Sequence, residues 1–296
     1  MLIRAITWNL FHGRDAPPDR ALYTWRSRLL KVTERGERYV QVNRDLFGEF
    51  SAVLDELEWD VALLQESPPR WAAALARDCG AQGHRVLTAR NRLLPLSSLI
   101  ARFNPDLIAS SEGGSNLTLV RGALLDGGAG ILERRELVIR EGHPERRVMA
   151  FVRTARGLCV ANLHASTNRP DLASEEVLDA AATAVAWAGP SPLIFGGDLN
   201  LRPGRQPEPF DELRRRFQLE RPTGAHSIDH LLARGLRIAE SPHSLPCPEL
   251  VRGADAVGPL GLHRREVGRR IRLSDHAPVG ASFEASTDGT PGAQAH

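Results

Sequence analysis

The chain has 296 residues, 42% of them hydrophobic and 25% charged, which is enough apolar material to bury a real core in one large domain or two small ones. A formal net charge of +2 excludes a global field strong enough to gather nucleic acid in bulk, so any anionic partner must be gripped locally. The three cysteines, Cys79, Cys159 and Cys247, are odd in number, far apart and without a C-x-x-C spacing, which excludes a disulfide framework and a structural zinc and fits a reducing compartment.

Leu2 to Asn9 reads as a strand that begins at once, leaving no room for a leader with an apolar centre and a cleavage site. The most apolar helical stretch, residues 180–188, falls far short of the roughly 18 residues a bilayer requires. A cytoplasmic monomer is the expected state. Residues 12–18 form a loop, and residues 19–30 and 45–58 carry apolar residues near helical spacing, with Phe47, Phe50, Leu54 and Leu57 on one face of the second. Seven arginines between Arg14 and Arg44 crowd this insert and describe either a solvated face or an anion-facing rim.

Asp60 to Glu66 is a second apolar strand ending on polar residues, and Ser67-Pro68-Pro69 opens a helix through about Cys79. Short strands follow at residues 85–89, 107–110, 116–120, 136–139, 148–154 and 158–163, a run that suggests a sandwich. Residues 171–188 form the best helix, with Asp171, Glu175 and Glu176 in its early turns where they suit the macrodipole. After the strand from Leu193 come a proline-rich loop, a short helix over 211–217, a strand over 227–232 and a long irregular stretch from 241 to 270. The tail from about Ala285 is expected to be disordered, so a single domain covers 1–284.

Chemistry collects at strand ends. Asn9, Glu66, His164 and Asp198 each close an apolar strand, and Asp229 lies inside one, where an acid is costly unless paired. If those strands are neighbours, Asn9, Glu66 and Asp198 form an oxygen cluster for a hard divalent cation. Gly196 and Gly197 remove side chains where a substrate or another backbone must approach, and Asp198 and Asn200 then place a carboxylate beside a carboxamide. A strand running into an ordinary Asp/Asn turn is the alternative reading of this stretch.

The ordered set Thr7-Trp8-Asn9, Gln65-Glu66, Asn162-Leu163-His164, Gly197-Asp198-Leu199-Asn200, Ile228-Asp229-His230 and Ser274-Asp275-His276 resembles the endonuclease/exonuclease/phosphatase (deoxyribonuclease I-like) superfamily. Each motif is weak alone, but six in family order across positions 7 to 276 are strongly specific. The resemblance implies an α/β fold, a four-layer α/β/β/α sandwich with two packed mixed β-sheets and a site at one end. It implies that Glu66, Asn9 and Asp275 hold the metal, Mg²⁺ first and Mn²⁺ as the alternative. Asp198 would activate water, Asn200 would hold a phosphate oxygen, and His276, oriented by Asp229, would contact the scissile phosphate with His164 opposite. His164 leans the match away from the abasic-site repair branch. Asn116 and Arg147 fall where relatives line the substrate, and are expected as substrate contacts.

The expected function is metal-dependent hydrolysis of phosphate esters by activated water. Nucleic acid is the first substrate class because Arg264, Arg265, Arg269, Arg270 and Arg272 run straight into the Asp275 motif, with Arg272 nearest. A phosphorylated small molecule or lipid head group is the runner-up, and a non-catalytic binding module of the same fold is a third possibility.

Overall fold

The computed structural model describes residues 1–15, 25, 34–35, 40–41, 45–88, 94–103, 113–125, 130–141, 146–252, 256–257, 263–264 and 269–285. Eleven of the described strands build two sheets. They are β1 (Leu2–Asn9), β2 (Val61–Ser67), β3 (Gln82–Leu87), β4 (Ser115–Val120), β5 (Ile131–Arg140), β6 (Arg147–Thr154), β7 (Cys159–His164), β8 (Leu193–Asp198), β9 (Asp229–Arg234), β10 (Arg237–Ser244) and β11 (Val279–Glu284). The first sheet has the order β10-β11-β1-β2-β4-β3 and the second β9-β8-β7-β6-β5. Both are mixed, since β1 runs parallel to β2 and β7 parallel to β8 while the other pairings are antiparallel.

Period-two alternation sorts each strand between layers. Ile3, Ala5, Val61 and Leu63 of the first sheet meet Val152, Val160, Ile194 and Leu231 of the second in the central core. The opposite faces are covered by helices. Ile6, Trp8, Ala62 and Leu64 pack against Phe50 and Leu54 of α1 (Phe47–Glu56) and Leu75 of α2 (Ala72–Asp78). Phe151, Ala161, Leu163 and Phe195 pack against α4 (Pro170–Ala188) and α5 (Pro207–Phe217). A further helix, α3 (Leu94–Phe103), lies between β3 and β4 in sequence. The expected four-layer sandwich is therefore what the chain forms.

Several local readings need correcting. The stretch 241–270 is not wholly irregular, because the end of β10 lies in it and Glu249–Arg252 pairs with Arg269–Arg272 in a two-stranded ribbon. Helix α3 is absent from the sequence reading. The proline-led helix begins as a single 3-10 turn, Pro69–Trp71, before α2 takes over. The readings at 19–30, 107–110 and beyond Ala285 lie outside the described residues, save Trp25. No described helix is long and apolar enough to cross a membrane.

Between the sheets, near one end, runs a buried polar layer. The Gln65 amide donates to Asn162 Oδ1 at 2.7 Å, and the Asn162 amide donates to the carbonyls of Leu64 and Leu117. Thr7 Oγ1 joins Gln65 at 3.1 to 3.2 Å. These bonds cross from one sheet to the other and fix their relative position beside the site, where a slip would leave buried amides unpaired.

Candidate active site

The inward faces of β1, β7, β8 and β9 continue past the apolar core and deliver Asn9, His164, Asp198 and Asp229 to one end of the sandwich. The register makes this specific: Asp198 stands opposite His164 on β7 and opposite Asp229 on β9. Asn9 reaches across from the other sheet, its amide donating to Asp198 Oδ2 at 3.1 Å while its own oxygen accepts from Phe11 N at 2.9 Å. The two glycines before Asp198 serve backbone approach. A Cβ on Gly196 would collide with the His230 carbonyl oxygen and one on Gly197 with that of Leu163, and Gly197 has φ 128°, so both strands flanking β8 depend on them.

Glu66 arrives by a different route. Strict alternation would turn it from Gln65 toward the helical face. Instead the pairing of β2 with β4 slips between Leu64 and Ser67, and Glu66 adopts φ 47°, so a bulge re-aims its carboxylate into the site. There Oε2 lies 3.1 Å from His12 Nε2 and Oε1 lies 3.9 Å from His164 Nε2. Of the non-glycine residues with positive φ, Phe11, His12, Glu66, Asn200 and Ser274 all belong to this end of the molecule, the clustering expected where a fold holds functional groups in strained conformations.

The last motif docks as a loop. Trp8 Nε1 donates to the His276 carbonyl at 3.0 Å and Ser274 Oγ donates to the Asn9 carbonyl at 2.5 Å, while His276 N donates back to Ser274 Oγ. This brings His276 Nδ1 to 2.8 Å from Asp229 Oδ2 and its Nε2 to 3.8 Å from both Asp198 Oδ2 and Asp275 Oδ1. Asp275 itself is half exposed at the rim.

The electrostatics separate the two histidines. Burial opposes charge on His276, but the hydrogen bond and charge of Asp229, with Asp198 and Asp275, outweigh it and lift the imidazole to about 10. For His164 burial dominates, Glu66 only partly opposes it, and Arg147 reinforces it, so its pKa falls to about 3. At neutral pH the first is a cation and the second a neutral imidazole. Asp198 is raised above the ordinary carboxylate range by burial and by the Asp229 charge, against the pull of His276. Burial would also raise Glu66, yet His12, His164 and Asn9 together hold it low and ionised.

Other expected residues take supporting places. Asn200 (φ 52°) donates from its side chain to the Ala165 carbonyl at 3.0 Å and from its backbone to Asp198 Oδ1 at 3.2 Å, which braces the loop below Asp198. Asn116 is fully buried, and its amide donates to the Val148 carbonyl at 2.8 Å, a tie between the sheets, while its Oδ1 has no hydrogen-bond partner. Arg147 is also buried and donates to Ser166 Oγ, whose hydroxyl donates to Glu176. Its closeness to His164 makes it part of the site's electrostatics from behind. Arg272 donates to Cys247 Sγ and to the Asp275 carbonyl, bracing the rim. His12 escaped the sequence reading because a lone histidine in a glycine-containing loop carries no pattern of its own.

The donors fit a hard divalent ion. Glu66 and Asp275 supply carboxylates of the kind such an ion takes, while the Asn9 amide donates to Asp198 and its oxygen accepts from Phe11 N. Ligand atoms of Asp198, Asp229 and His276 also come within 4.8 Å of one another. In that second group the internal hydrogen bond already holds the imidazole of His276 as a cation, whereas the somewhat more exposed Glu66 is paired with His12. His164 Nε2, Asp229 Oδ1 and Asn116 Oδ1 are buried without a hydrogen-bond partner from the chain.

The sequence matches the Endonuclease/Exonuclease/phosphatase family model over residues 6–276. The chain belongs to this family. Among solved structures it is similar to a mannosyl-6-phosphatase of Bacteroides thetaiotaomicron, with a TM-score of 0.59 at 13% identity over 95% of this chain and 99% of that one. An endonuclease/exonuclease/phosphatase from Bacteroides vulgatus gives 0.56 at 12% over 97% and 100%. A humanized D. rerio TDP2 gives 0.50 at 14% over 96% and 99%. At these identities the likeness establishes the shared fold. A comparison with curated proteins found no match.

Proposed function

We propose that this protein is a divalent-metal-dependent phosphoesterase that cleaves its substrate by attack of water. The observation that carries the reading is the position of Asp198, a buried carboxylate flanked by His164 and Asp229 in strand register, hydrogen-bonded by Asn9, with a raised pKa. A carboxylate with its pKa moved toward neutrality is a competent base for water. Glu66, Asn9 and Asp275 would hold the ion, which supplies Lewis-acid neutralisation of the phosphoryl charge. His276, kept cationic by Asp229, stabilises charge that grows on the phosphoryl oxygens. His164, kept neutral, donates one hydrogen bond from the opposite side without adding net charge.

For the substrate we propose a phosphodiester of nucleic acid. The strand Arg269–Arg272 leads directly into the Asp275–His276 loop, which puts the cations Arg270 and Arg272 close to the cut along the chain. A specific observation favours a smaller phosphate ester as the second reading: Arg270 is paired with Glu249 at 3.2 Å and Arg272 is engaged by Cys247 and the Asp275 carbonyl. A panel of plasmid, single-stranded DNA, RNA, a chromogenic phosphodiester and a sugar phosphate, each with Mg²⁺, Mn²⁺ and chelator, separates the two. The nuclease reading predicts turnover of polynucleotide that weakens steeply with salt. Exclusive turnover of the sugar phosphate would overturn it.

A further inference from the structure

His12 lies outside the six motifs, yet its placement is more tightly determined than a loop residue needs. Phe11, His12 and Gly13 are three consecutive residues with left-handed backbones, at φ 48°, 55° and 73°. For a non-glycine residue each such conformation is unfavourable, and a pair persists only where surroundings impose it. Here they do. Gly13 N donates to the Leu10 carbonyl at 2.8 Å and its carbonyl accepts from Leu46 N. Any Cβ on Gly13 would strike the Trp71 ring and Pro68, and Trp71 is itself anchored to Asp45 Oδ1 at 3.1 Å. On the other side Gly114 leaves room: a Cβ there would lie 3.4 Å from His12 Cε1 and 3.5 Å from Glu66 Cα. The turn thus clamps the imidazole against Glu66, with Nε2 at 3.1 Å from Oε2.

That separation is an ordinary hydrogen-bond length and also suits a shared ion. Two donors on neighbouring corners of an octahedral ion, each bonded at about 2.1 Å, stand about 3.0 Å apart. His12 and Glu66 already hold this spacing, on a pair of backbones whose strain leaves them little freedom to part. The imidazole also arrives only three residues beyond Asn9, on the segment that leaves β1.

We infer that His12 is a further ligand of the divalent ion, bound through Nε2 beside the Glu66 carboxylate, and that it tilts the site from Mg²⁺ toward Mn²⁺ and other transition metals. This rests on the proposal that Glu66 holds a metal. The chemistry follows from the donor set. Oxygen donors alone suit Mg²⁺, whereas an imidazole adds affinity for first-row transition ions, which accept nitrogen readily. A pair that served only to orient Glu66 would instead affect Mg²⁺ and Mn²⁺ alike.

The test uses the full chain, stripped with chelator and reloaded with Mn²⁺ or Mg²⁺ alone. Electron spin-echo modulation of bound Mn²⁺ reports a directly coordinated ¹⁴N. It is expected in the parent, retained in His164→Ala and lost in His12→Gly, a variant chosen because glycine accepts the left-handed backbone. His12→Asn, which also tolerates that backbone, serves if the glycine variant loses its fold by circular dichroism. Calorimetry should show Mn²⁺ affinity falling roughly tenfold or more in the His12 variant while Mg²⁺ affinity changes less than about threefold. Mn²⁺ bound in the parent without ¹⁴N modulation, or equal losses for both ions, overturns the inference while leaving the metal site intact. Mn²⁺ binding that survives unchanged in Glu66→Gln overturns the underlying metal assignment instead.

Discussion

His276 Nδ1 and Asp229 Oδ2 stand 2.8 Å apart, a charge-assisted hydrogen bond between a loop and a strand that are 47 residues apart in sequence. With the histidine lifted to about 10, the sign of the linkage is determined. A raised folded-state pKa contributes stability that is fully present below the unfolded value near 6.5 and is lost as pH rises through about 10. In metal-free protein the melting temperature of the parent should exceed that of Asp229→Asn at pH 6, and the gap should close between about pH 7 and pH 10. NMR titration of His276 should show its pKa falling in the variant. A constant gap with an unchanged titration would remove the pairing from the account.

Glu66 is presented by a bulge, and its replacement by glutamine preserves shape while removing the charge that an ion needs. Glu66→Gln should weaken Mg²⁺ and Mn²⁺ binding by roughly tenfold or more while leaving the circular dichroism spectrum unaltered. Calorimetric isotherms matching those of the parent would show that the ion sits elsewhere.

Gly196 faces the backbone of β9 so closely that no side chain fits. Gly196→Ala should destabilise the fold by about 3 kcal/mol or more, since the colliding atom is a strand carbonyl and not a flexible side chain. Chemical denaturation measures this directly. A midpoint within error of the parent would mean that β8 and β9 can separate without cost.

The three thiols are free, and burial lifts Cys79 and Cys159 to about 11. Cys247, partly exposed at the rim, should be alkylated by iodoacetamide at pH 8 in the native protein, with the other two reacting only on unfolding. Peptide mapping after timed labelling checks this. Fast native labelling of Cys159 would place it outside the second sheet's core.

Much of this site was legible because strand ends announce themselves in sequence. Asn9, His164 and Asp198 follow apolar runs, and alternation carries each onto the same inward face. Glu66 was legible as a strand-end acid, but its direction was not, because a bulge reverses the face that alternation assigns. The neighbour relations that matter most, Asp198 beside His164 and Asp229, depend on strand order, which the ordered motifs carried through family resemblance and periodicity could not supply. For Asn116 the sequence could not show the amide bond to Val148 on the second sheet, because a polar residue in a short strand looks alike whichever neighbour it meets. His12 was hidden for a related reason: its place depends on a left-handed turn whose Gly13 is clamped by Trp71, far along the chain.

The most direct test of the account compares single-turnover phosphoester cleavage by the parent and Asp198→Asn, with saturating Mn²⁺ and with chelator, alongside their melting temperatures. The account predicts cleavage that chelator abolishes, and a rate in the variant lower by ~10²–10⁴-fold with substrate affinity and fold retained, as expected for loss of a general base. Chelator-resistant cleavage, or a well-folded Asp198→Asn that turns over at the parental rate, would contradict it.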